Sequence, residues 1–229
     1  MKQDLILAGV GGQGILTIAQ AISQAAVKRG LHVRQAEVHG MAQRGGGVQS
    51  HLRISDREIY SDLIPAGEAD LVIAVEPLES LRYVHYLKEQ GAAVVSQNVF
   101  INIPNYPAVE AVLSRVAGLP RHVLVDADRL ARAAGSGRAA NITMLGAASL
   151  FLELEPNELE ESVAEMFAAK GERVVEVNRR AFRFGRSGAL AYLNGLEKGG
   201  TSSAVRHWID TLEPVLRRLT GERSYPIRP

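Results

Sequence analysis

The 229-residue sequence has no cysteine. That excludes disulfides and any iron–sulfur cluster held by the chain's own thiolates, and it removes the commonest ligand of structural zinc. Aromatic residues are scarce, at 5% against 46% for apolar residues as a whole. The core must therefore be made of Ala, Val, Leu and Ile, and with 22 glycines this composition suits helices packed closely on a sheet. Neither sign of charge dominates, with 26 Lys and Arg against 25 Asp and Glu. No global field selects nucleic acid or an anionic membrane. No apolar run approaches the roughly eighteen residues of a membrane span. The opening Met1-Lys2-Gln3-Asp4 leads into an apolar stretch too brief for a secretory h-region. The expectation is a soluble, cytoplasmic chain whose partners include neither nucleic acid nor membrane.

Leu5-Ile6-Leu7-Ala8 is a continuous apolar run of the kind found in strands buried on both faces. A helix is predicted from about Gly14 to Arg29, with Ile15, Ile18, Ala19, Ile22 and Ala26 on one stripe, and a second strand over residues 32–38. From Val48 the period becomes two. Val48, Ser50, Leu52 and Ile54 share one face and Gln49, His51 and Arg53 the other, so a β-hairpin is expected, turning at Ser55-Asp56-Arg57 and returning through residues 58–61. Strands at 70–75, 92–96 and 122–125 alternate with helices from Pro77 to about Gln90, at 109–117 and at 126–134. Beyond Gly137 only helices are predicted, at 141–153, 157–169, 172–184 and 203–219, with Asn157 as an N-cap and Gly171 and Gly185 as stops. The Gly/Ser-richer stretch from Gly185 to Ser203 suits a mobile linker. Trp208, Leu212, Val215, Leu216 and Leu219 form an amphipathic stripe that docks either on the same chain or, the favoured reading, on a partner. The expected architecture is α/β: a Rossmann-like mixed, mostly parallel sheet with flanking helices, an inserted β-hairpin and a helical C-terminal extension. Residues 1–185 form the domain, and residues 186–229 an extension rather than a second domain.

Between the first strand and helix stands Gly9-Val10-Gly11-Gly12-Gln13-Gly14, a Gly-x-Gly-x-x-Gly turn. Its glycines permit close approach of a ligand, and the helix start offers unpaired N–H groups to an anion. A tight turn that only packs helix on sheet fits the same pattern. Glu37, at the end of the second strand, stands where dinucleotide-binding domains carry their ribose acid. The following loop, Val38 to Gly47, is glycine-rich around a single cation, Arg44, which suits either a guanidinium clamp on phosphate or carboxylate or a solvated loop arginine. His39 and His51 flank this loop, with His51 expected on a polar surface or in a cross-strand role. Asn141 is expected to start a helix, and Met41 and Met144 to pack. No Gly-x-Ser-x-Gly elbow occurs, and no histidine pair has metal-ligand spacing.

The runs G-V-G-G-Q-G-I and E-V-H-G-M-A-Q-R-G-G-G-V-Q-S-H-L-R, followed by D-L-V-I-A-V-E-P, A-N-I-T-M-L-G-A-A and A-A-K-G-E-R-V-V-E-V-N-R-R-A-F, resemble the γ-type subunit of 2-oxoacid:ferredoxin oxidoreductases, most closely the β subunit of the indolepyruvate type. The resemblance covers about residues 4–185; the chain continues past the segment where such members often finish. It implies decarboxylation of a 2-oxoacid on thiamine diphosphate, electron transfer through [4Fe-4S] clusters to ferredoxin, and acyl transfer to coenzyme A. It further implies that a large α subunit carries the thiamine diphosphate, its Mg²⁺ and the clusters. No Gly-Asp-Gly diphosphate motif occurs in this sequence, in agreement. On this reading the chain holds no catalytic residue and no metal. Gly9, Gly11, Gly12, Gln13 and Gly14 receive a phosphate of coenzyme A or make a subunit contact, and Gln43, Arg44 and Gly45 shape the wall of the partner's active site. Two alternatives stand beside it: a separate NAD- or flavin-dependent oxidoreductase with Glu37 on a ribose, and a non-enzymatic nucleotide-binding module.

Overall fold

The computed structural model describes residues 1–39, 45–101 and 103–211. One six-stranded sheet runs through it in the order β2-β3-β1-β4-β5-β6. The strands are β1 (Lys2–Val10), β2 (His32–His39), β3 (Gly47–Ser55), β4 (Ala69–Ala74), β5 (Leu87–Ser96) and β6 (His122–Val125). β1, β4, β5 and β6 are mutually parallel, and β3 pairs antiparallel with β1 on one side and β2 on the other. The mixed, mostly parallel α/β sheet expected from the sequence is therefore present. Apolar runs such as Leu5 to Ala8 and Leu71 to Ala74 are fully buried, as strands covered by helices on both faces must be.

The first crossover, through α1 (Ile15–Lys28), carries the chain one way along the sheet. Those through α2 (Pro77–Tyr83) and α3 (Val109–Ala117) carry it the other way. Right-handed crossovers in opposite directions put their helices on opposite faces. The strand order accordingly reverses between β1 and β4, and this switch opens a crevice at the carboxyl ends of the strands. α4 (Ala127–Ala134), α5 (Ala140–Ala148), α6 (Pro156–Phe167), α7 (Glu172–Glu197) and α8 (Ser202–Thr211) follow. α5 packs on α1, β4 and β5, and α7 packs on α4, α5, α6 and β6.

Several expectations need correction. The hairpin exists, but its second strand is β2, joined to β3 through the glycine-rich loop; residues 58–61 form no strand. Arg53 explains this, because its Nη1 donates to the carbonyls of Ser61 (3.1 Å) and Leu63 (3.0 Å). Those carbonyls are taken by a side chain instead of a ladder. The guanidinium is itself held by Asp4 through Nε–Oδ1 (2.8 Å) and Nη2–Oδ2 (3.0 Å), and Asp4 is buried. α2 ends at Tyr83 rather than near Gln90, and β5 begins at Leu87.

Gly185 does not stop a helix: α7 runs through it to Glu197, so the anticipated boundary at 185/186 lies inside a helix and most of the anticipated linker is helical. A Cβ on Gly185 would lie 1.9 Å from the Thr143 carbonyl oxygen, and one on Gly146 would lie 1.9 Å from that of Phe182. Both glycines are there to let α5 and α7 touch backbone to backbone. α6 starts at Pro156, with Glu155 rather than Asn157 as its N-cap, and Glu155 N–H donates to Glu158 Oε2 (2.9 Å). Through residue 211 the extension packs on its own chain, while Trp208, the one member of the anticipated stripe among the described residues, is exposed. Val205 is buried, Arg129 Nη1 donates to Asp210 Oδ1 (2.6 Å) and Arg206 Nη2 to Glu110 Oε2 (2.8 Å). Leu212, Val215, Leu216 and Leu219 lie outside the described residues.

Candidate functional site

The first glycine turn starts where β1 meets α1. Gly9 has no room for a side chain, since a Cβ would fall 2.3 Å from Val75 Cγ2. Gly12 and Gly14 have φ of 102° and 79°, left-handed values that glycine adopts without steric cost. Gln13 closes the turn. Its backbone N–H donates to the Val10 carbonyl (3.1 Å), its Oε1 accepts from Val10 N–H (2.7 Å), and its Nε2 donates to the Val75 carbonyl (3.4 Å). Among the described residues, the backbone N–H groups of Gly12, Gly14, Ile15 and Leu16 make no hydrogen bond. They form the positive end of a 14-residue helix.

The second glycine loop meets the first because β3 lies directly beside β1, with Val10 opposite Gly47. Gly11 N–H donates to the Gly46 carbonyl (2.8 Å), and Gly45 N–H to the Gly11 carbonyl (3.5 Å). The structure thus brings Gly45 together with Gly9 to Gly14. Gln43, Arg44 and Met41 lie outside the described residues. Behind Gly47 sits Glu79, 3% exposed, whose Oε2 is 2.7 Å from where a Gly47 Cβ would be and has no hydrogen-bond partner. Burial raises the Glu79 pKa, the Arg82 guanidinium lowers it and the Glu76 carboxylate raises it further.

Glu37 does not take the ribose-acid position. β3 separates β2 from β1, so Glu37 stands two strand spacings, about 10 Å, from the strand that carries the glycine turn. Its Oε1 accepts from Gln35 Nε2 (2.9 Å).

A cavity of about 260 Å³ opens at the carboxyl ends of β1, β4 and β5, alongside the α4 N-terminus, with Gly12 and Gln13 on one wall and Asn98, Asp128, Arg138 and Asn141 on the others. Most of its polar groups are already engaged. Asn98 Nδ2 donates to Asp126 Oδ1 (2.8 Å), and Asn98 Oδ1 accepts from Asp128 N–H (3.0 Å) and Ser96 Oγ (3.1 Å). Asp126 caps α4 by accepting from Arg129 N–H (3.0 Å). The first turn of α4 is therefore satisfied by the protein, whereas that of α1 is not. Asn141 begins the far wall as the second residue of α5, and its Nδ2 donates to the Gly14 carbonyl (3.3 Å).

Glu76 fixes the segment that rims the cavity. Its buried carboxylate caps α2 by accepting from Glu79 N–H (2.8 Å), and it also accepts from Phe100 N–H (3.5 Å) and the Tyr106 hydroxyl. Burial and this hydrogen bond to Glu76 raise the Tyr106 pKa. His51 is buried rather than exposed, and its Nδ1 accepts from Ile64 N–H (3.1 Å). Met144 packs in the core and also lines the cavity. Sequence reasoning missed Asn98, Asp128 and Arg138. The signal available for them was their position just after predicted strands or before a predicted helix, where open α/β sheets bind ligands. Among the described residues no group of three His, Asp or Glu could hold a metal ion, and no helix is long and apolar enough to cross a membrane.

The model of the pyruvate ferredoxin/flavodoxin oxidoreductase family matches residues 4–188. Indolepyruvate oxidoreductase subunit IorB of Archaeoglobus fulgidus is 34% identical over 83% of this chain and 97% of its own length. The protein of the same name from Methanothermobacter thermautotrophicus is 37% identical over 81% of this chain and 96% of its own. Among solved structures, subunit PORC of the pyruvate oxidoreductase from Thermotoga maritima superposes with a TM-score of 0.64 at 23% identity, over 82% of this chain and 96% of that one. At that identity the superposition speaks to the fold alone. The glycine turn, the six-stranded mixed sheet and these matches lead to one assignment: the chain belongs to the pyruvate ferredoxin/flavodoxin oxidoreductase family, as a γ-type subunit of a 2-oxoacid:ferredoxin oxidoreductase.

Proposed function

We propose that this chain is the small subunit of a coenzyme A-acylating oxidoreductase for aryl 2-oxoacids such as indolepyruvate, and that its glycine turn receives a phosphate of coenzyme A. One observation carries the reading: the unpaired N–H groups of Gly12, Gly14, Ile15 and Leu16 at the start of α1, beside a polar cavity at the carboxyl ends of the strands. Oriented N–H dipoles at a helix N-terminus suit a phosphate. The names of the relatives, indolepyruvate oxidoreductase subunits, support this substrate class. A solved 2-oxoglutarate:ferredoxin oxidoreductase from Magnetococcus marinus, 23% identical over 83% of this chain and 31% of that one with a TM-score of 0.66, is described with 2-oxoglutarate, coenzyme A and succinyl-CoA bound.

Thiamine diphosphate, Mg²⁺ and [4Fe-4S] clusters belong to a large partner subunit on this reading, and ferredoxin is reached through it. A chain without cysteine offers no thiolate to a cluster. Thiamine diphosphate supplies the carbanion chemistry that releases carbon dioxide. This chain's own contribution is to bind and orient the acyl acceptor and to wall off the site with Gln43, Arg44 and Gly45. Gln13 acts within this scheme by holding the turn in shape, since both ends of its amide are engaged.

The test is co-purification with the large subunit, followed by dye reduction with a panel of 2-oxoacids with and without coenzyme A. The pair is expected to oxidise aryl 2-oxoacids in a coenzyme A-dependent way, and the isolated chain to be inactive. Gly12→Ala, which puts a methyl at a φ of 102°, is expected to raise KM for coenzyme A on the order of 10-fold, because strain at that φ shifts the N–H groups out of line. Turnover by the isolated chain, or an unchanged KM in the variant, would overturn the proposal.

A further inference from the structure

We infer that Arg138 and Asp128 are the two poles of a phosphoribose subsite in this cavity, taking a ribose that carries both a phosphate and a free hydroxyl. The inference rests on the coenzyme A reading and deepens it. Coenzyme A has such a ribose, with a 3′-phosphate beside a 2′-hydroxyl, in addition to its pyrophosphate.

Arg138 is the one cationic and Asp128 the one anionic side chain among the lining residues. The side chains of both make no hydrogen bond or ion pair among the described residues, whereas those of Gln13, Ser96, Asn98 and Asn141 are all engaged. A cavity built for a pyrophosphate alone has no use for a carboxylate, which would repel it. The Arg138 guanidinium is exposed and the Asp128 carboxylate half-buried, and together on one cavity they suit a ligand that is an anion at one atom and a hydrogen-bond donor at another. The α1 turn already offers N–H groups to one anion, so the guanidinium is left for a second. The volume agrees: about 260 Å³ falls below the roughly 300–1,000 Å³ of sites that enclose a drug-sized ligand. The cavity holds one end of a larger molecule. Arg138 is also fixed relative to the glycine turn. It belongs to the single 3₁₀ turn Gly137–Ala139 that leads straight into α5, and Asn141, three residues on, is bonded to Gly14.

The assembled two-subunit enzyme is assayed with coenzyme A and with 3′-dephospho-coenzyme A. The wild type is expected to prefer coenzyme A by roughly 10- to 100-fold in kcat/KM, the worth of a charge-assisted hydrogen bond. Arg138→Gln is expected to collapse that ratio toward one, and Arg138→Lys to restore part of it. Asp128→Asn is expected to weaken both acceptors alike, since both keep the 2′-hydroxyl. As a readout independent of turnover, calorimetric titration should show adenosine 3′,5′-bisphosphate binding more tightly than adenosine 5′-monophosphate, with the difference lost in Arg138→Gln. If Gly12→Ala weakens both acceptors while Arg138→Gln leaves the ratio intact, the turn reading stands and the subsite falls. If neither variant changes anything, both fall. An equal loss for both acceptors in Arg138→Gln likewise refutes a 3′-phosphate contact.

Discussion

His51 and Glu79 are buried titratable side chains that bring opposite pH dependences. Burial, and secondarily the nearby Arg53 guanidinium, lowers the His51 pKa. A histidine with a depressed folded-state pKa contributes stability that is fully present above its unfolded value, about 6.5, and is lost as pH falls through the folded value. Protonation removes the acceptor of Ile64 N–H and releases the 56–64 loop. His51→Gln should lose less stability than the wild type between pH 7.5 and 5, by about 1 kcal/mol, the net worth of that hydrogen bond, as read from urea midpoints. Glu79 has the other sign. Its raised pKa means a contribution present below the unfolded value and lost as pH rises through the folded one. Its Oε2 lacks a partner, and the Arg82 that faces Oε1 at 3.2 Å is itself more than half exposed, so screening leaves that pair worth little. Glu79→Gln should therefore stabilise the chain at pH 8, by about 1 kcal/mol, with the gain shrinking toward pH 4.5. Neither role was legible in the sequence. Alternation put His51 on the polar face of its strand but could not reveal that the 56–64 loop covers that face.

Helices show where local pattern suffices and where it does not. The α1 stripe was readable because Ile15, Ile18, Ala19, Ile22 and Ala26 are all buried at helical spacing. Gly185 was misread because a glycine that ends a helix and one that admits a neighbour look alike in sequence. Here φ is not positive at Gly185 or Gly146; what they provide is space for the α5–α7 crossing. Gly185→Ala should push the helices apart and cost about 2–3 kcal/mol, the upper range for overpacking a tight core, measurable by chemical denaturation. Because α5 begins with Ala140 and Asn141 on the cavity wall, the same variant should also weaken coenzyme A binding in the assembled enzyme, whereas a surface change such as Glu172→Gln should do neither.

At the scale of the molecule, the glycine turn announced itself as one contiguous motif. The cavity did not, since its polar residues come from four separate segments, around Gln13, Asn98, Asp128 and Arg138, that only the fold brings together. Strand order is itself a matter of long-range pairing, which is why the insertion of β3 between β1 and β2 was not foreseen. Through residue 211 the extension packs on the rest of the chain: Tyr192, fully buried, shares its hydroxyl with Ser202 Oγ (2.6 Å), and Val205 packs over Gly195 and Gly200. Val205→Asp should lower the thermal midpoint yet leave co-purification with the large subunit intact; loss of assembly would instead put α8 at the subunit interface. The insertion also constrains how the chain can acquire its form. Among the described residues β2 pairs with β3 alone, so until β3 has left the ribosome the strand after α1 has no strand of this sheet to zip against. Pairing of β2 must then wait for β3, and in the mature protein the outermost amides of β2 should exchange with deuterium well before those of β1.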